Sequence, residues 1–517
     1  MRERFQRLST SKFLRWPVAA LLIGLLTATA LACGTGPSTP APTSTAAPLP
    51  TSVFSPAAAP LSTPVPPPDV APLSTPVPPP DVALLPTPPP LPMVTPLPIP
   101  FTPTPTTSAP LSADLRSEVE RASVSNVGSP ESGQQVQGNN AFAMDLYLAL
   151  GNQDGNIFYS PYSISLAFAM LYAGAGGETE RQIAEVMHYT LPQEDLHPTL
   201  NSLDAELASR GQAAEGEESG EVKLNVANAI WGESSCSFSP AYLDTLALNY
   251  GAGLKSTNFA GAPEKSRETI NKWVEDQTED RIKNLVPQGA IDPSTVLTLT
   301  NAIYFDAAWR HSFPKDLTRD RDFHLLDGSA MEAPMMHQLN NLRYTEGDGY
   351  QALELPYAGD ELSMLVLLPG KGGFKEFEES LSADLVKGIT DSLNLHDVAA
   401  TMPKFEFESA FSLAETLAGM GMAAPFTGAA DFSGMDVRCA AGGVPAVSGV
   451  FHKGFVLVEE EGTEAAAATA IVVVVTSEDA GSPPPPKQFI ADRPFIFLIR
   501  DNPTGSILFV GRVLDPR

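Results

Sequence analysis

Proline is spread very unevenly along this chain of 517 residues, and its distribution constrains the fold more than any other feature. Of the 50 prolines, 27 lie between Pro37 and Pro110, a stretch with only two charged residues. Proline fixes φ and offers no backbone donor, so this stretch cannot form a packed domain. We predict an extended, semi-rigid tether over residues 33–110, in which the unit Ala59–Val70 recurs unchanged at Ala71–Val82. About 400 residues remain, enough for one large core.

The residues ahead of the tether have the pattern of a secretory signal. Residues 1–16 are basic, and Pro17–Ala32 is apolar without charge but shorter than a membrane span of about 20 residues. Small residues before Cys33 suit either an ordinary signal peptidase or a bacterial lipoprotein site with Cys33 as the lipidated residue. We expect a signal peptide over residues 1–32 and a secreted protein. We expect a cell-surface lipoprotein of a bacterium or, alternatively, a simply extracellular protein.

The chain is strongly acidic. It carries 32 Lys and Arg residues against 60 Asp and Glu residues, for a net charge of −28. Such a surface repels phosphate backbones and anionic lipid heads. We therefore expect no nucleic-acid partner, and membrane association only through a lipid at Cys33.

Hydrophobic periodicity separates the rest of the chain into an early helical part and a later strand-rich part. Residues 111–136 are polar and are predicted to be a flexible lead-in. The predicted helices are Asn139–Leu150, one opening at Ser160-Pro161, Glu178–Val186 and Leu196–Ser209. The predicted strands are Val222–Trp231, Val296–Phe305, Tyr350–Leu355, Ser363–Leu368, Val450–Val458 and Ile507–Val510. No regular βαβ repeat appears, so the fold class is α+β.

Motifs for catalysis or metal binding do not appear. The sequence has no Gly-x-Ser-x-Gly, His-Glu-x-x-His or Cys-x-x-Cys pattern, and its seven His residues are scattered. We expect no enzymatic activity, no metal site and no cofactor. In a secreted chain Cys236 and Cys439 could bridge, and two buried thiols are an equally good interpretation.

The segment Glu459–Thr476 carries contradictory local signals. Glu464 and Ala465–Ala468 favour a helix, whereas Ile471–Val475 strongly favours a strand. As a strand, it has small residues on both faces and could slide between two existing strands at little steric cost. The acidic, then Pro-rich residues Ser477–Pro486 indicate exposure. On composition alone, a loop awaiting a vacancy in a sheet and a plain buried strand are equally supported.

Motifs across residues 137–517 resemble the serpin family, in the family's own order. The run Glu460-Glu-Gly-Thr-Glu-Ala-Ala-Ala-Ala-Thr-Ala470 is similar to the hinge of the serpin reactive-centre loop. The other similar segments are Asn156–Ile164, Asn301–Trp309, Leu353–Tyr357, Asp431–Met435, His452–Phe455, Asp492–Phe497 and Gly505–Arg512. The resemblance implies a serpin fold with about three β-sheets, about eight to nine helices and an exposed reactive-centre loop near residues 460–490.

The resemblance also implies a mechanism. In serpins, a serine protease attacks the exposed loop and forms an acyl-enzyme, and the cleaved loop then inserts into sheet A before water can release the protease. A suicide-substrate inhibitor that forms a covalent complex with serine proteases is therefore implied. The protein is expected to be a monomer that is prone to loop-sheet polymerisation on mild heating, because Val472–Val475 is uncharged and β-prone.

The alternative is a non-inhibitory serpin-fold binding module displayed on the tether. Such relatives carry bulky, charged or Pro residues in the hinge. This hinge has none apart from Glu464, which the family also has.

The resemblance assigns roles to individual residues. The hinge comprises Glu460, Gly462, Thr463, Glu464, Ala465, Ala466, Ala467, Ala468 and Thr469. Ser163, Asn301 and His452 match the polar cluster under sheet A that the family calls the shutter. Trp309, Lys453 and Glu460 match the region where the loop begins to insert.

The scissile bond follows from a count along the loop. About fourteen residues on from Gly462, as in typical family members, the count gives Thr476–Ser477, with Val474–Val475 and Ser477–Glu478 as alternatives. The loop is longer than usual, and we assign the extra length to the residues after this bond, because Pro cannot join a central strand.

The residues around this bond favour particular proteases. Val475 and Thr476 suit elastase-like or subtilisin-like enzymes, and the absence of Lys and Arg between Lys453 and Lys487 argues against trypsin-like ones. A heparin-like cofactor is not expected, because Leu196–Glu221 has one Arg against six acidic residues.

Overall fold

The computed structural model describes residues 112–123, 128–210, 222–440, 445–463 and 484–517. The predicted signal peptide and tether, Cys33, the hinge residues Glu464–Thr469 and the Thr476–Ser477 bond lie outside these ranges. Among the described residues, no helix is long and apolar enough to span a membrane.

Nine α-helices and eighteen strands occur in the described ranges. The helices are α1 (Pro130–Leu150), α2 (Pro161–Tyr172), α3 (Gly177–Met187), α4 (Gln193–Leu207), α5 (Pro240–Tyr250), α6 (Pro263–Gln277), α7 (Phe374–Glu379), α8 (Ala383–Ser392) and α9 (Leu413–Gly419). The strands are β1 (Ser112–Leu115), β2 (Ile157–Tyr159), β3 (Val222–Glu233), β4 (Cys236–Ser237), β5 (Leu254–Thr257), β6 (Leu297–Ala308), β7 (Arg319–His324), β8 (Ala330–Gly347), β9 (Tyr350–Pro356), β10 (Leu362–Pro369), β11 (Asn394–Pro403), β12 (Phe405–Ser412), β13 (Arg438–Cys439), β14 (Val447–Val458), β15 (Gly462–Thr463), β16 (Lys487–Ile490), β17 (Phe495–Asp501) and β18 (Ile507–Val513).

The strands form two large sheets and one small sheet. Sheet A has seven strands in the order β1-β5-β3-β6-β15-β14-β12. Sheet B has nine, in the order β16-β11-β8-β9-β10-β17-β18-β2 with β7 paired to β8, and β13 pairs with β4. The predicted α+β class, with three sheets and eight to nine helices, is confirmed. Each of the six predicted strands is present, with its ends shifted by at most three residues.

Helix α2 fixes a polar side chain beneath sheet A. The Ser160 hydroxyl accepts a hydrogen bond from the Ser163 backbone N–H at 3.1 Å, and Pro161 occupies the first helical position, where no backbone donor is needed. Every residue of α2 is buried, and the helix contacts β3 and β6 of sheet A and β18 of sheet B. Ser163 is therefore held between the two large sheets.

The lead-in is more ordered than its polar composition predicts. Ser112–Leu115 forms β1, an antiparallel neighbour of β5 at the edge of sheet A. Arg121 donates to Asn201 Oδ1 of α4 at 2.7 Å and to the carboxylate of Asp204 at 2.7 Å. Helix α1 begins at Pro130 rather than at Asn139. The prediction of a flexible segment over residues 111–136 is wrong at these positions, because the stabilising partners are distant in sequence.

Cys236 and Cys439 form a disulfide bond. The two residues are opposite each other in the small sheet, where β4 pairs with β13, and they are 203 residues apart in sequence. The sequence left open a disulfide bond and two buried thiols, and the structure contains the disulfide bond.

Candidate functional site

The loop begins in a gap between two strands of sheet A. β6 and β14 are parallel neighbours from Leu297 to Tyr304 on β6, and beyond Tyr304 β15 lies between them. The pairs made by β15 are Gly462 with Ala308, Thr463 with Ala307, and Thr463 with Val458. We call the line between β6 and β14 the gap, with its upper end at β15 and its lower end at Leu297. The first residues of the predicted insertion segment already occupy the upper end.

Trp309 and Tyr357 hold these residues in place. The Trp309 backbone N–H donates to the Glu461 carbonyl at 2.8 Å, and its indole N–H donates to the Glu459 carbonyl at 3.0 Å. The indole ring stacks on Tyr357 with ring centroids 4.6 Å apart. The Tyr357 hydroxyl is 2.7 Å from Thr463 Oγ1, and both side chains are buried. The upper end is thus closed by a packed aromatic pair.

Charged side chains surround the same end. The Glu460 carboxylate, 5% exposed, accepts from Lys404 Nζ at 2.9 Å and from Thr318 Oγ1 at 2.8 Å, and Lys315 pairs with Glu461. Burial alone would raise the pKa of Glu460, but the hydrogen bonds from Lys404 and Thr318, a backbone hydrogen bond and the charge of Lys404 together outweigh burial and lower it. Glu460 is therefore held ionised beside the start of the loop.

Four polar side chains meet at the middle of the gap and form what we call the polar cluster: Ser163, Asn228, Asn301 and His452. Asn301 on β6 is directly opposite His452 on β14. The Asn301 amide donates to Ser163 Oγ at 2.7 Å and to Asn228 Oδ1, and Asn301 Oδ1 is bonded to His452 Nδ1. Ser163 Oγ donates to Asn228 Oδ1 at 3.0 Å. The predicted residues Ser163, Asn301 and His452 are thus brought together.

His452 has a defined protonation state. Its Nε2 accepts from the Ser160 backbone N–H at 3.3 Å, so the ring proton lies on Nδ1 and is donated to Asn301 Oδ1. Burial lowers the pKa of His452 to about 3, because the charged form would lose its hydration. The polar cluster is therefore neutral at physiological pH.

Lys453 is not near the upper end of the gap, where the sequence analysis put it. It is opposite Ala302, next to the polar cluster, and its ammonium donates to Glu408 Oε1 at 2.8 Å and to the Lys283 carbonyl at 3.0 Å. Side chains alternate along a strand, so Lys453 faces away from His452. Trp309 and Glu460 do lie at the upper end.

Sequence reasoning missed several residues of this site: Asn228, the hydroxyl of Tyr357, and the partners of the loop start, Lys315, Thr318 and Lys404. A polar residue inside the apolar pattern of β3 was the available signal for Asn228. Lys404 and Tyr357 gave no such signal, because their partners Glu460 and Thr463 are far away in sequence.

The two ends of the loop lie in different sheets. Thr463 pairs with β6 and β14 of sheet A, whereas Lys487 on the far side pairs with Val398 of β11 in sheet B. The remaining predicted hinge residues and the Thr476–Ser477 bond lie in the range 464–483, outside the described residues.

Comparison with known proteins identifies the family. A family model described as Serpin (serine protease inhibitor) matches residues 137–516. Leukocyte elastase inhibitor of Homo sapiens is 38% identical over 399 residues, which cover 74% of this chain and 100% of that protein. An uncharacterized serpin-like protein of Thermococcus kodakarensis is 37% identical over 378 residues, covering 73% of this chain and 85% of that one.

Solved structures give the same result. The crystal structure of tengpin, a thermophilic serpin, in the native state matches with a TM-score of 0.69 and 29% identity, over 78% of this chain and 99% of that one. The family model, the relatives and this structural likeness all agree with the motifs read from the sequence. The chain belongs to the serpin family.

Proposed function

We propose that this serpin is a suicide-substrate inhibitor of serine proteases. The protease serine attacks the carbonyl carbon of Thr476, and the bond to Ser477 breaks as its amine leaves with a proton from the protease. The acylated loop then enters the gap as a new strand before water hydrolyses the ester. One observation carries the proposal: β15 already lies between β6 and β14 and points down the gap.

The register of β15 indicates what the inserted loop would meet. On β6, Gly462 is opposite Ala308 and Thr463 is opposite Ala307, so each further loop residue meets the preceding residue of β6. Continued downward, this register brings Thr469 opposite Asn301. On the other side, Thr463 is opposite Val458, and the same continuation brings Thr469 opposite His452. Thr469 would then lie between the two residues whose hydrogen bond closes the middle of the gap.

The chemistry of Thr469 suits that position. Insertion must break the bond between Asn301 and His452, and a buried polar group left without a partner costs about 1–3 kcal/mol. A threonine hydroxyl both donates and accepts, so it can replace the lost partner. Ala465 and Ala467, on the same face, are small enough to pass without clash.

The same register supports the predicted scissile bond. Val473 would be opposite Leu297, the residue with which β6 begins at the lower end of the gap. Thr476 then follows three residues later, about 10 Å beyond the sheet at the rise of a strand. Full insertion therefore leaves a short linker between sheet A and the bound protease. Cleavage at Val474–Val475 would leave almost none.

Burial of the loop supplies the driving force. Thr463 is 1% exposed, so in an inserted strand every second loop residue counted from Thr463 would also face the core. Ile471 and Val473 would be buried beside Leu299 and Leu297, and each such side chain contributes about 1.5–3 kcal/mol. Hydrogen bonds to β6 and β14 would be added on both sides of the new strand.

We infer a preference for elastase-like or subtilisin-like targets. Val475 and Thr476 fit small aliphatic pockets, and no Lys or Arg occurs between Lys453 and Lys487. The name of the relative from Homo sapiens, leukocyte elastase inhibitor, supports this preference. Secretion and lipid attachment at Cys33 are part of the same proposal, because the targets would then be extracellular proteases.

The test is to mix the full chain with elastase-, subtilisin-, chymotrypsin- and trypsin-like proteases. An SDS-stable complex with the first two, and a released peptide whose mass shows that it starts at Ser477, would support the proposal. Clean cleavage without a complex, and without a rise in the thermal stability of the cleaved protein, would contradict it.

A further inference from the structure

The disulfide connects segments that belong to opposite sides of the gap. A strand entering the gap divides sheet A into one side with β1, β5, β3 and β6 and another with β14 and β12. Cys236 follows the end of β3, whose Gly232 is opposite Leu297 at the lower end of the gap. Cys439 precedes β14, which starts at Val447 opposite the same residue. The covalent bond therefore joins the two sides at their lower end.

Cys236 is firmly attached to the β3 side. The Glu233 carboxylate accepts from the backbone N–H groups of Ser235 and Ala260, both at 3.0 Å. The Ser234 N–H donates to the Thr257 carbonyl of β5 at 2.9 Å. These bonds leave the turn that carries Cys236 little freedom to move independently of β3 and β5.

Cys439 is attached instead to the helices beneath sheet A. The Gly434 N–H donates to the Gly174 carbonyl at 3.1 Å, and the Gly176 N–H donates to the Asp431 carbonyl at 2.9 Å. Gly174 and Gly176 form the turn between α2 and α3. Helix α3 contacts the short helix Ala424–Phe426, which in turn contacts β14. The segment that carries Cys439 is therefore fixed to the β14 side, and the disulfide ties β3 to that side.

We infer that the Cys236–Cys439 disulfide is a clasp that resists opening of the lower end of the gap. A new strand widens a sheet by about 4.8 Å, so β3 must move away from β14 when the loop enters the gap. A covalent bond between the two sides of the gap opposes this separation. This inference rests on the proposed function, in that a strand enters between β6 and β14.

The clasp makes insertion sensitive to thiol–disulfide exchange. A dithiol reductant supplies two electrons and two protons, so that the S–S bond becomes two thiols and the reductant becomes a cyclic disulfide. In oxidising surroundings the clasp is closed and the loop enters the lower gap more slowly. In reducing surroundings the sheet expands more easily.

The experiment measures the opening of the gap without a protease. A labelled synthetic peptide of residues 464–475 is incubated with the oxidised full chain, with the same protein reduced by dithiothreitol in the folded state, and with a Cys236→Ser/Cys439→Ser variant. We expect the peptide to anneal about fivefold faster to the last two than to the first. Dithiothreitol should leave the rate of the double variant unchanged. If that variant does not fold, the reduced protein carries the test.

The outcomes separate this inference from the proposed function. Equal annealing rates in the oxidised and reduced proteins would overturn the clasp alone. If reduction also lowered the unfolding temperatures of the native and cleaved forms equally, the disulfide would stabilise the fold in general and would not resist opening of the gap. An absence of annealing to all three proteins would overturn both proposals.

Discussion

The upper end and the middle of the gap are held closed by different kinds of interaction. At the upper end, Lys404 and Glu460 form an ion pair at 2.9 Å in which the lysine side chain is 29% exposed. In the middle, Asn301 and His452 are 1% and 0% exposed and are joined by neutral hydrogen bonds. Partly exposed ion pairs contribute little, whereas buried groups that lose their partners cost much more. The comparison indicates that the ion pair at the upper end holds the gap closed less firmly than the polar cluster does.

The largest effect is expected where the loop starts. In Thr463→Arg an unpaired guanidinium would replace a side chain that is already buried beside Tyr357, which is strongly unfavourable and would drive β15 out of the gap. We expect loss of the SDS-stable protease complex and conversion of the protein into a substrate, as measured by gel electrophoresis. Thr463→Ser, which keeps the hydroxyl, is the matched control. A complex formed by Thr463→Arg at the wild-type level would contradict the idea that insertion begins at β15.

The next largest effect is expected in the polar cluster. Asn301→Ala leaves the His452 Nδ1–H without its acceptor and removes the bonds that Asn301 donates to Ser163 Oγ and Asn228 Oδ1, at about 3 kcal/mol of unfolding free energy for the native protein. Denaturant unfolding measures this change. The half-buried Asn225 on β3 provides the control: Asn225→Ala should lower stability by less than about 1 kcal/mol. Equal losses in the two variants would remove the distinction between the middle of the gap and the rest of the sheet.

Acid should weaken the middle of the gap before the upper end. The pKa of His452 is lowered from 6.5 to about 3 in the folded protein. Between these two pH values the unfolded chain binds more protons than the folded chain. The stability that is present above pH 6.5 is therefore lost as the pH falls. We expect a loss of about 1.4 kcal/mol per pH unit between pH 6.5 and 4.5 from this residue. Burial lowers the pKa of His197 to about 4, so it contributes over the same range.

The variants separate these contributions. His452→Gln should remove its share of the pH slope and leave that of His197, whereas His197→Gln should do the reverse. The lowered pKa of Glu460 stabilises the upper end at pH values above 4.5, and that contribution is lost only at lower pH. A wild-type stability that is flat between pH 6.5 and 4.5 would contradict the prediction.

The smallest effect is expected for the ion pair at the upper end. Lys404→Met leaves Glu460 with only Thr318 and should cost about 1 kcal/mol, with more polymer on mild heating as measured by size exclusion. Lys315, whose side chain is 70% exposed, is the control, and Lys315→Met should change little. A heated Lys404→Met sample that stays as monomeric as the wild type would argue against easy opening at this end.

Local patterns predicted the positions of the six strands that they identified, although the described ranges contain twelve further strands and five further helices. The strands that become β3, β6 and β14 were located within three residues, because apolar alternation over a long stretch reports burial directly. The Ser160-Pro161 pair predicted the start of α2, since both act within the first helical turn. Ser163, Asn301 and His452 came from the family resemblance and not from periodicity.

Features that depend on distant partners were not predicted. β1 exists because Ser112–Leu115 can pair with β5, and nothing in those four residues signals this. Pairing between Cys236 and Cys439 stayed open because spacing does not determine connectivity. Lys453 lies beside the polar cluster and not at the upper end of the gap, because only the register of β14 against β6 determines its position along the gap.

The position of β1 has a mechanical consequence. Ser112, the first residue of the strand, pairs with Thr257, and the antiparallel ladder ends with Leu115 opposite Leu254. A pulling force applied at Ser112 across the strands would therefore load the outermost pair first and unzip the four pairs one after another, whereas a force along β1 would shear all four at once. Tension on that side of the chain would strip the edge strand from sheet A well before it reached β6.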